Sequence, residues 1–181
     1  AGVSVGVDLN YRTNMPLYND GAVVMSSADL PDRGNVLAPR GKTLHGVFNA
    51  LGSISRTPLF DAASWVAELS WNRLVSVTSD PQDSFLGRDG YDEIDRVTKD
   101  YFGLGLKFTP KWFQVFPGAD LSLPIAYSRG LSGNSAVLGG GNKGSGSYSV
   151  GLGLDVYSRY RFDLQYVDYF GDYTTNAAGA A

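Results

Sequence analysis

Strict alternation of apolar and polar residues runs through this chain, and it permits few architectures. In residues 1–13, Val3, Val5, Val7, Leu9 and Tyr11 interleave with Ser4, Gly6, Asp8, Asn10 and Arg12. In residues 63–74, Trp65, Ala67, Leu69 and Trp71 interleave with Ser64, Val66, Glu68, Ser70 and Asn72. The same pattern recurs with Phe102, Leu104, Leu106 and Phe108, and again with Ala119, Leu121, Leu123, Ile125 and Tyr127. It recurs twice more, with Tyr148, Val150, Leu152, Leu154 and Val156, then with Tyr160, Phe162, Leu164 and Tyr166. A period of two puts the two sets on opposite faces of a β-strand, whereas an amphipathic helix requires apolar residues at i, i+3 and i+4. A weaker seventh strand is expected over residues 43–54. Its apolar face holds Leu44, Phe48, Ala50 and Ile54 with Gly46 and Gly52, and its other face mixes His45 and Asn49 with Val47 and Leu51. Pro124 falls inside one strand, where it cannot donate a ladder hydrogen bond, so a bulge or ragged end is expected there.

The connections alternate in length. Long ones, at about 14–42, 75–96 and 130–146, are followed by short ones at about 55–62, 110–118 and 158–159. Strands joined by short turns are antiparallel neighbours. Residues 131–147 are rich in Gly, Ser and Asn and read as a flexible loop. No internal repeat or domain boundary is visible, so residues 1–181 form a single segment.

Alternation alone leaves open which face meets water. A soluble sandwich or barrel hides the apolar face, while an outer-membrane barrel turns it to lipid and lines its lumen with polar residues. Three observations favour the membrane. The polar face carries mostly Ser, Gly, Asn and Asp, with 23 Gly overall and only 18% charged residues, below the roughly 25% of soluble domains. Long connections on one side and short turns on the other match extracellular loops and periplasmic turns. Aromatics gather near the strand ends of the apolar face. Tyr11, Trp71, Phe102, Tyr127, Tyr148 and Tyr166 lie toward the long loops, and Trp65, Phe108, Tyr160 and Phe162 toward the short turns. Such paired girdles are the preferred place of amphipathic rings at a membrane interface. The expected fold is all-β: an antiparallel up-and-down meander of about seven amphipathic strands, part of a transmembrane β-barrel.

On this reading the lumen is lined by Asp8, Asn10, Arg12, His45, Asn49, Glu68, Asn72, Lys107, Asp120, Asp155, Arg161, Asp163 and Gln165. Charged lumen rings tune solute passage. An ion-paired plug is the alternative, with Arg161 and Asp163 on one strand and Asp155 next door across the tight turn. No catalysis, cofactor or metal is expected. His45 and Asn49 share a face, but no nucleophile-elbow motif accompanies them. The acids Asp80, Asp83, Asp89, Asp92, Glu93, Asp95 and Asp100 are interleaved with Arg88, Arg96 and Lys99 and lack EF-hand spacing, which favours a solvated loop over a calcium site. The run Gly139 to Ser145 has the wrong order for a phosphate loop. With no Cys and one His, thiolate and His-rich zinc sites are excluded. A net charge of -3 argues against nucleic-acid binding. No apolar run approaches the roughly 18 residues of a transmembrane helix.

Several blocks carry a family likeness. They are Tyr11-Arg12-Thr13-Asn14-Met15-Pro16-Leu17, Thr57-Pro58-Leu59-Phe60-Asp61-Ala62-Ala63-Ser64, and Phe116-Pro117-Gly118-Ala119-Asp120-Leu121-Ser122-Leu123-Pro124. Tyr127-Ser128-Arg129-Gly130-Leu131-Ser132-Gly133-Asn134-Ser135 and Tyr166-Val167-Asp168-Tyr169-Phe170-Gly171-Asp172-Tyr173 complete the set. Along nearly its whole length the chain resembles the C-terminal part of a large, functionally uncharacterised family of Gram-negative outer-membrane proteins, a domain of unknown function. The resemblance implies a porin-like β-barrel in outer-membrane lipid. It also implies partners: a periplasmic lipid-carrier-like protein and an exporter of the resistance–nodulation–division type, hence a hydrophobic or lipid-like solute. It brings no catalytic residues. The chain is shorter than the family pattern and ends in Asn176-Ala177-Ala178-Gly179-Ala180-Ala181 where an aromatic-terminated strand is expected. Single-chain bacterial barrels have even strand numbers, so seven strands read as a fragment whose parent continues past Ala181. Two other readings remain: a soluble β-barrel or sandwich that binds a small apolar ligand, and a passive adhesive barrel that displays its loops.

Overall fold

A computed structural model of the chain describes residues 2–19, 37–87, 89, 91 and 93–172. The expectations placed on Arg88, Asp92 and the stretch 173–181 lie outside these residues. The fold is all-β. Eight strands follow in order: β1 Val3–Pro16, β2 Arg40–Ile54, β3 Ala62–Ser79, β4 Asp100–Phe116, β5 Ala119–Ser122, β6 Ile125–Ser132, β7 Gly146–Val156 and β8 Tyr160–Phe170. A 3-10 turn at Glu93–Asp95 precedes β4. Every pairing between strands is antiparallel, and the order across the sheet follows the chain.

β5 and β6 occupy one position in the sheet, both lying between β4 and β7. They are two halves of one expected strand, so about seven strands become eight described segments. The interruption is Leu123-Pro124, and it is a gap without a bulge. Ser122 pairs with Lys111 and Gly153, and Ala126 pairs with Lys107 and Ser149, so no residue has been inserted on either side. Two backbone bonds bridge the gap, Leu123 N to Pro110 O at 3.1 Å and Gly151 N to Pro124 O at 2.8 Å. Pro124 removes a donor and leaves the register intact.

The strands run further than their alternation suggests. β4 continues through the expected turn to Phe116, and β3 reaches Ser79. At the short-turn end, Asp61 accepts the Phe113 amide at 2.9 Å and faces Arg56 Nε at 3.2 Å. Trp112 Nε1 donates to Leu59 O at 2.7 Å. Between β7 and β8, Tyr157 and Ser158 both have positive φ, 53° and 51°, the handedness that fits a tight hairpin to the strand twist.

Among the described residues no apolar core lies beneath the sheet. Along β1 the apolar side chains Val3, Val5, Val7 and Leu9 are 65–76% exposed. β1 and β8 form the two edges, and no pairing joins them, so the described sheet is an open one. The buried cluster of Leu17, Phe85, Leu86, Val97 and Ala136 sits at the long-loop end, built by connections and not by strands.

Candidate functional site

Cross-strand partners in an antiparallel ladder share a face, so the register assigns every side chain its side. Asn10, His45, Asn72 and Tyr101 form one row across β1 to β4. Asn49 and Glu68 lie two rows further along that side, continued by Gly105, Ser128 and Ser147. Asp8 lies between these rows, opposite Val47, and Arg12 stands beyond them, opposite Thr43. Lys107 follows, paired with Val66 and Ala126. Gln165 pairs with Gly151, Asp163 with Gly153, and Arg161 with Asp155, which also faces Asp120. The polar positions named from sequence thus occupy one face. Lys111, Thr109 and Tyr101 join them there. Lys111 was assigned to a turn because the alternation was followed only to Thr109, although Lys107, Thr109 and Lys111 continue it.

The opposite face carries the aromatics. Trp65 pairs with Phe108, Trp71 with Phe102, Tyr127 with Tyr148, and Tyr166 with Val150. Tyr11 lies opposite Leu44, Phe162 opposite Leu154, and Tyr160 opposite Val156. Trp71 and Phe102 stack at 6.5 Å, and the Tyr148 and Tyr166 rings lie 6.1 Å apart. Two of them are anchored through polar atoms. Trp71 Nε1 donates to Asp100 Oδ1 at 3.0 Å, and the Tyr148 hydroxyl donates to Asp168 Oδ2 at 3.0 Å.

Loops close over the polar face at the long-loop end. Tyr18 N donates to Ala136 O at 2.8 Å, Leu86 N to Tyr18 O at 3.3 Å, and Val97 N to Leu86 O at 3.3 Å. These bonds zip three connections around the buried cluster. Ser135 Oγ donates to Asn72 Oδ1 at 3.0 Å, and the Tyr101 ring lies against Gly103 and Gly141. Residues 131–147, expected to be a flexible loop, instead fold onto the sheet. Gly is the reason a polar, Gly-rich segment can pack so closely. A Cβ at Gly133, whose φ is +73°, would strike Asp100 O.

Below this cap, hollows open on the polar face. One of about 570 Å³ has a floor of small residues, Ser122, Ala126, Ser149 and Gly151, across the β5–β6 break. Its walls are long side chains: Lys107, Lys111, Arg161 and Gln165. Small residues beside long ones make the hollow. Arg161 pairs within its own strand, Nε to Asp163 Oδ2 at 2.9 Å, and not with Asp155 as the alternation across the turn suggested. An interior filled by ion pairs is not what the described residues contain. On the polar face the Arg161–Asp163 contact is the one ion pair among them.

His45 Nε2 lies 2.8 Å from Thr43 Oγ1, a side chain buried on the same strand. In the acidic loop, Asp80 accepts the amides of Ser84 at 2.9 Å and Phe85 at 3.0 Å, so it shapes a turn. Asp100 is engaged by Trp71 and Arg73. Among the described residues no three His, Asp or Glu gather as metal ligands.

The family described as protein of unknown function (DUF1302) matches residues 1–180. The chain belongs to the DUF1302 family. No curated protein and no solved structure matches it. The DUF1302 match spans every strand described above.

Proposed function

We propose that this DUF1302 chain is part of an outer-membrane β-barrel of a Gram-negative bacterium that passes a solute between the cell surface and the periplasm. One observation carries the reading: an amphipathic sheet with a broad bare apolar face and, among the described residues, no second layer packed over it. Water does not tolerate a contiguous apolar face of this extent. Lipid accepts it, and the polar face then encloses an aqueous path. Strands of 11 to 18 residues in β2, β3, β4, β7 and β8 meet or exceed the roughly 9–11 needed to cross the apolar band. The aromatic rows take the interfacial positions, and the cap narrows the outer mouth.

The open edges at β1 and β8 fit the same reading. A bare edge cannot stand in hydrocarbon, so both are paired by further strands of the complete barrel. The resemblance adds a periplasmic lipid-carrier-like protein and a resistance–nodulation–division exporter as partners, with a hydrophobic or lipid-like solute. A soluble sandwich requires a second sheet over the apolar face, and among the described residues none covers it.

The test is fractionation and conductance of the intact protein. It is expected in the outer-membrane fraction, extractable only with detergent, and to give discrete conductance steps in a planar lipid bilayer. Recovery from the aqueous fraction without detergent sinks the membrane reading. Membrane assembly without conductance leaves a barrel that displays its loops.

A further inference from the structure

We infer that the hollow across the β5–β6 break is a binding station for oxyanions, the carboxylate or phosphate group of a solute inside the barrel. The inference rests on the barrel reading for its place in a lumen, and adds the chemical class that the lumen recognises. Three cations line the hollow, Lys107, Lys111 and Arg161, against one carboxylate, Asp163. That carboxylate is already held by Arg161, through Nε at 2.9 Å and an NH2 contact at 3.1 Å. Lys107 and Lys111 make no ion pair with any described residue. Of the other strand cations, Arg73 has its carboxylate in Asp100, and Arg12, Arg40, Lys42 and Arg129 lie outside this hollow. Two ammonium groups without an ion-pair contact to any described residue therefore face one polar hollow.

The donors around them suit an oxyanion. Thr109 stands between the two lysines on the same face of β4, with Ser64 as its cross-strand partner, and Ser149 lies on the floor. The lysine Cα atoms are about 13 Å apart along the strand. Their flexible four-carbon stems let both lean over Thr109 or hand an anion from one to the other. An ammonium and hydroxyls bind an oxyanion through charge-assisted hydrogen bonds, the strong kind. The surroundings limit that strength. Glu68 lies in the adjoining hollow with Lys107, and Asp120 and Asp155 lie beside Lys111 in another. A transit site must hold its solute weakly enough to release it, and these flanking carboxylates supply the opposing field.

The experiment titrates inorganic phosphate into the intact protein in detergent micelles, followed by phosphorus NMR line broadening, with acetate as competitor. Saturable phosphate binding is expected. Lys107→Gln and Lys111→Gln should each weaken it by about tenfold, the loss of one charge-assisted hydrogen bond. Lys107→Arg should restore most of it, and Lys99→Gln, outside the hollow, should change nothing. Circular dichroism identifies any variant that has not folded. Displacement by acetate marks a general carboxylate-and-phosphate station, and its absence restricts the class to phosphate. If the unaltered protein binds neither anion, or if Lys99→Gln weakens binding as much, the station is wrong. Conductance in a planar bilayer separates the two readings. A conducting protein without anion binding overturns the station alone, and a binding protein that never conducts overturns the pore alone.

Discussion

Ser135 Oγ, in the connection after β6, donates a hydrogen bond of 3.0 Å to Oδ1 of Asn72 on β3. The contact reaches across β4 and fastens a loop to the polar face. The same hydroxyl accepts the Val137 amide at 3.1 Å, so one buried atom holds both the loop's own turn and its anchorage. Replacing Ser135 with Ala leaves the Val137 amide without that acceptor, at a cost of about 1–3 kcal/mol for a buried donor. The loss is expected in the cap and not in the sheet. Hydrogen exchange at the Val137 amide should accelerate while the β2 and β3 amides stay protected, and unchanged exchange at Val137 would show that other contacts hold the loop.

Leu17 is the largest fully buried side chain, and it lies in the cap. Leu17→Ala removes methyl groups from the one buried cluster and is expected to cost about 2–5 kcal/mol there. Since the cluster is made of connections, proteolysis of the 80–97 segment should speed up before global unfolding changes. Equal sensitivity of strands and cap to this substitution would mean that they unfold as one unit.

Gly133 has φ of +73°, and a Cβ there would meet both Asp100 O and Thr98 Oγ1. An L-residue in the left-handed region costs about 1–2 kcal/mol even in open space. Gly133→Ala should therefore break the pairing of Thr98 N with Asn134 O, now 2.9 Å, and release the loop from the start of β4. Nuclear magnetic resonance shifts confined to residues 98–101 and 130–142 are the expected signature, and a spectrum unchanged there would refute the steric argument.

Leu152 projects from the apolar face, opposite Leu164 on β8. Arg at this position is expected to lower stability by about 2–4 kcal/mol if that face lies in the middle of a bilayer. Ser149 is on the other face, and Arg there should cost far less. Urea unfolding of both variants of the intact protein in phospholipid vesicles makes the comparison. Equal effects at the two positions would contradict a lipid-facing surface.

The strands were legible because alternation is a local property. Each of Val3 to Tyr11, or Tyr148 to Val156, declares its two faces without knowledge of its neighbours, and the register later joins those faces into two continuous surfaces. Pro124 was readable as an interruption for the same reason, since a missing donor is a property of one residue. Lys111 was missed at a strand end, where the apolar partner at position 110 is Pro and the alternation is followed no further. The packing of the cap onto the sheet was not legible. Gly, Ser and Asn in residues 131–147 have the composition of a flexible loop. What orders them is distant: Asn72 and Tyr101 beneath, Leu17 and Leu86 beside.

By itself, then, the sequence determined that this DUF1302 chain forms amphipathic antiparallel strands, and which side chains share each face, because side-chain direction in a strand follows parity alone. Tertiary structure alone decided where the polar face is hollow, which charges meet, and that the long connections fold back over it. Those depend on register and on contacts between segments remote in sequence. Arg161 finding Asp163 and not Asp155, while Lys107 and Lys111 are left facing open space, is a choice made only when strands β4 to β8 stand side by side.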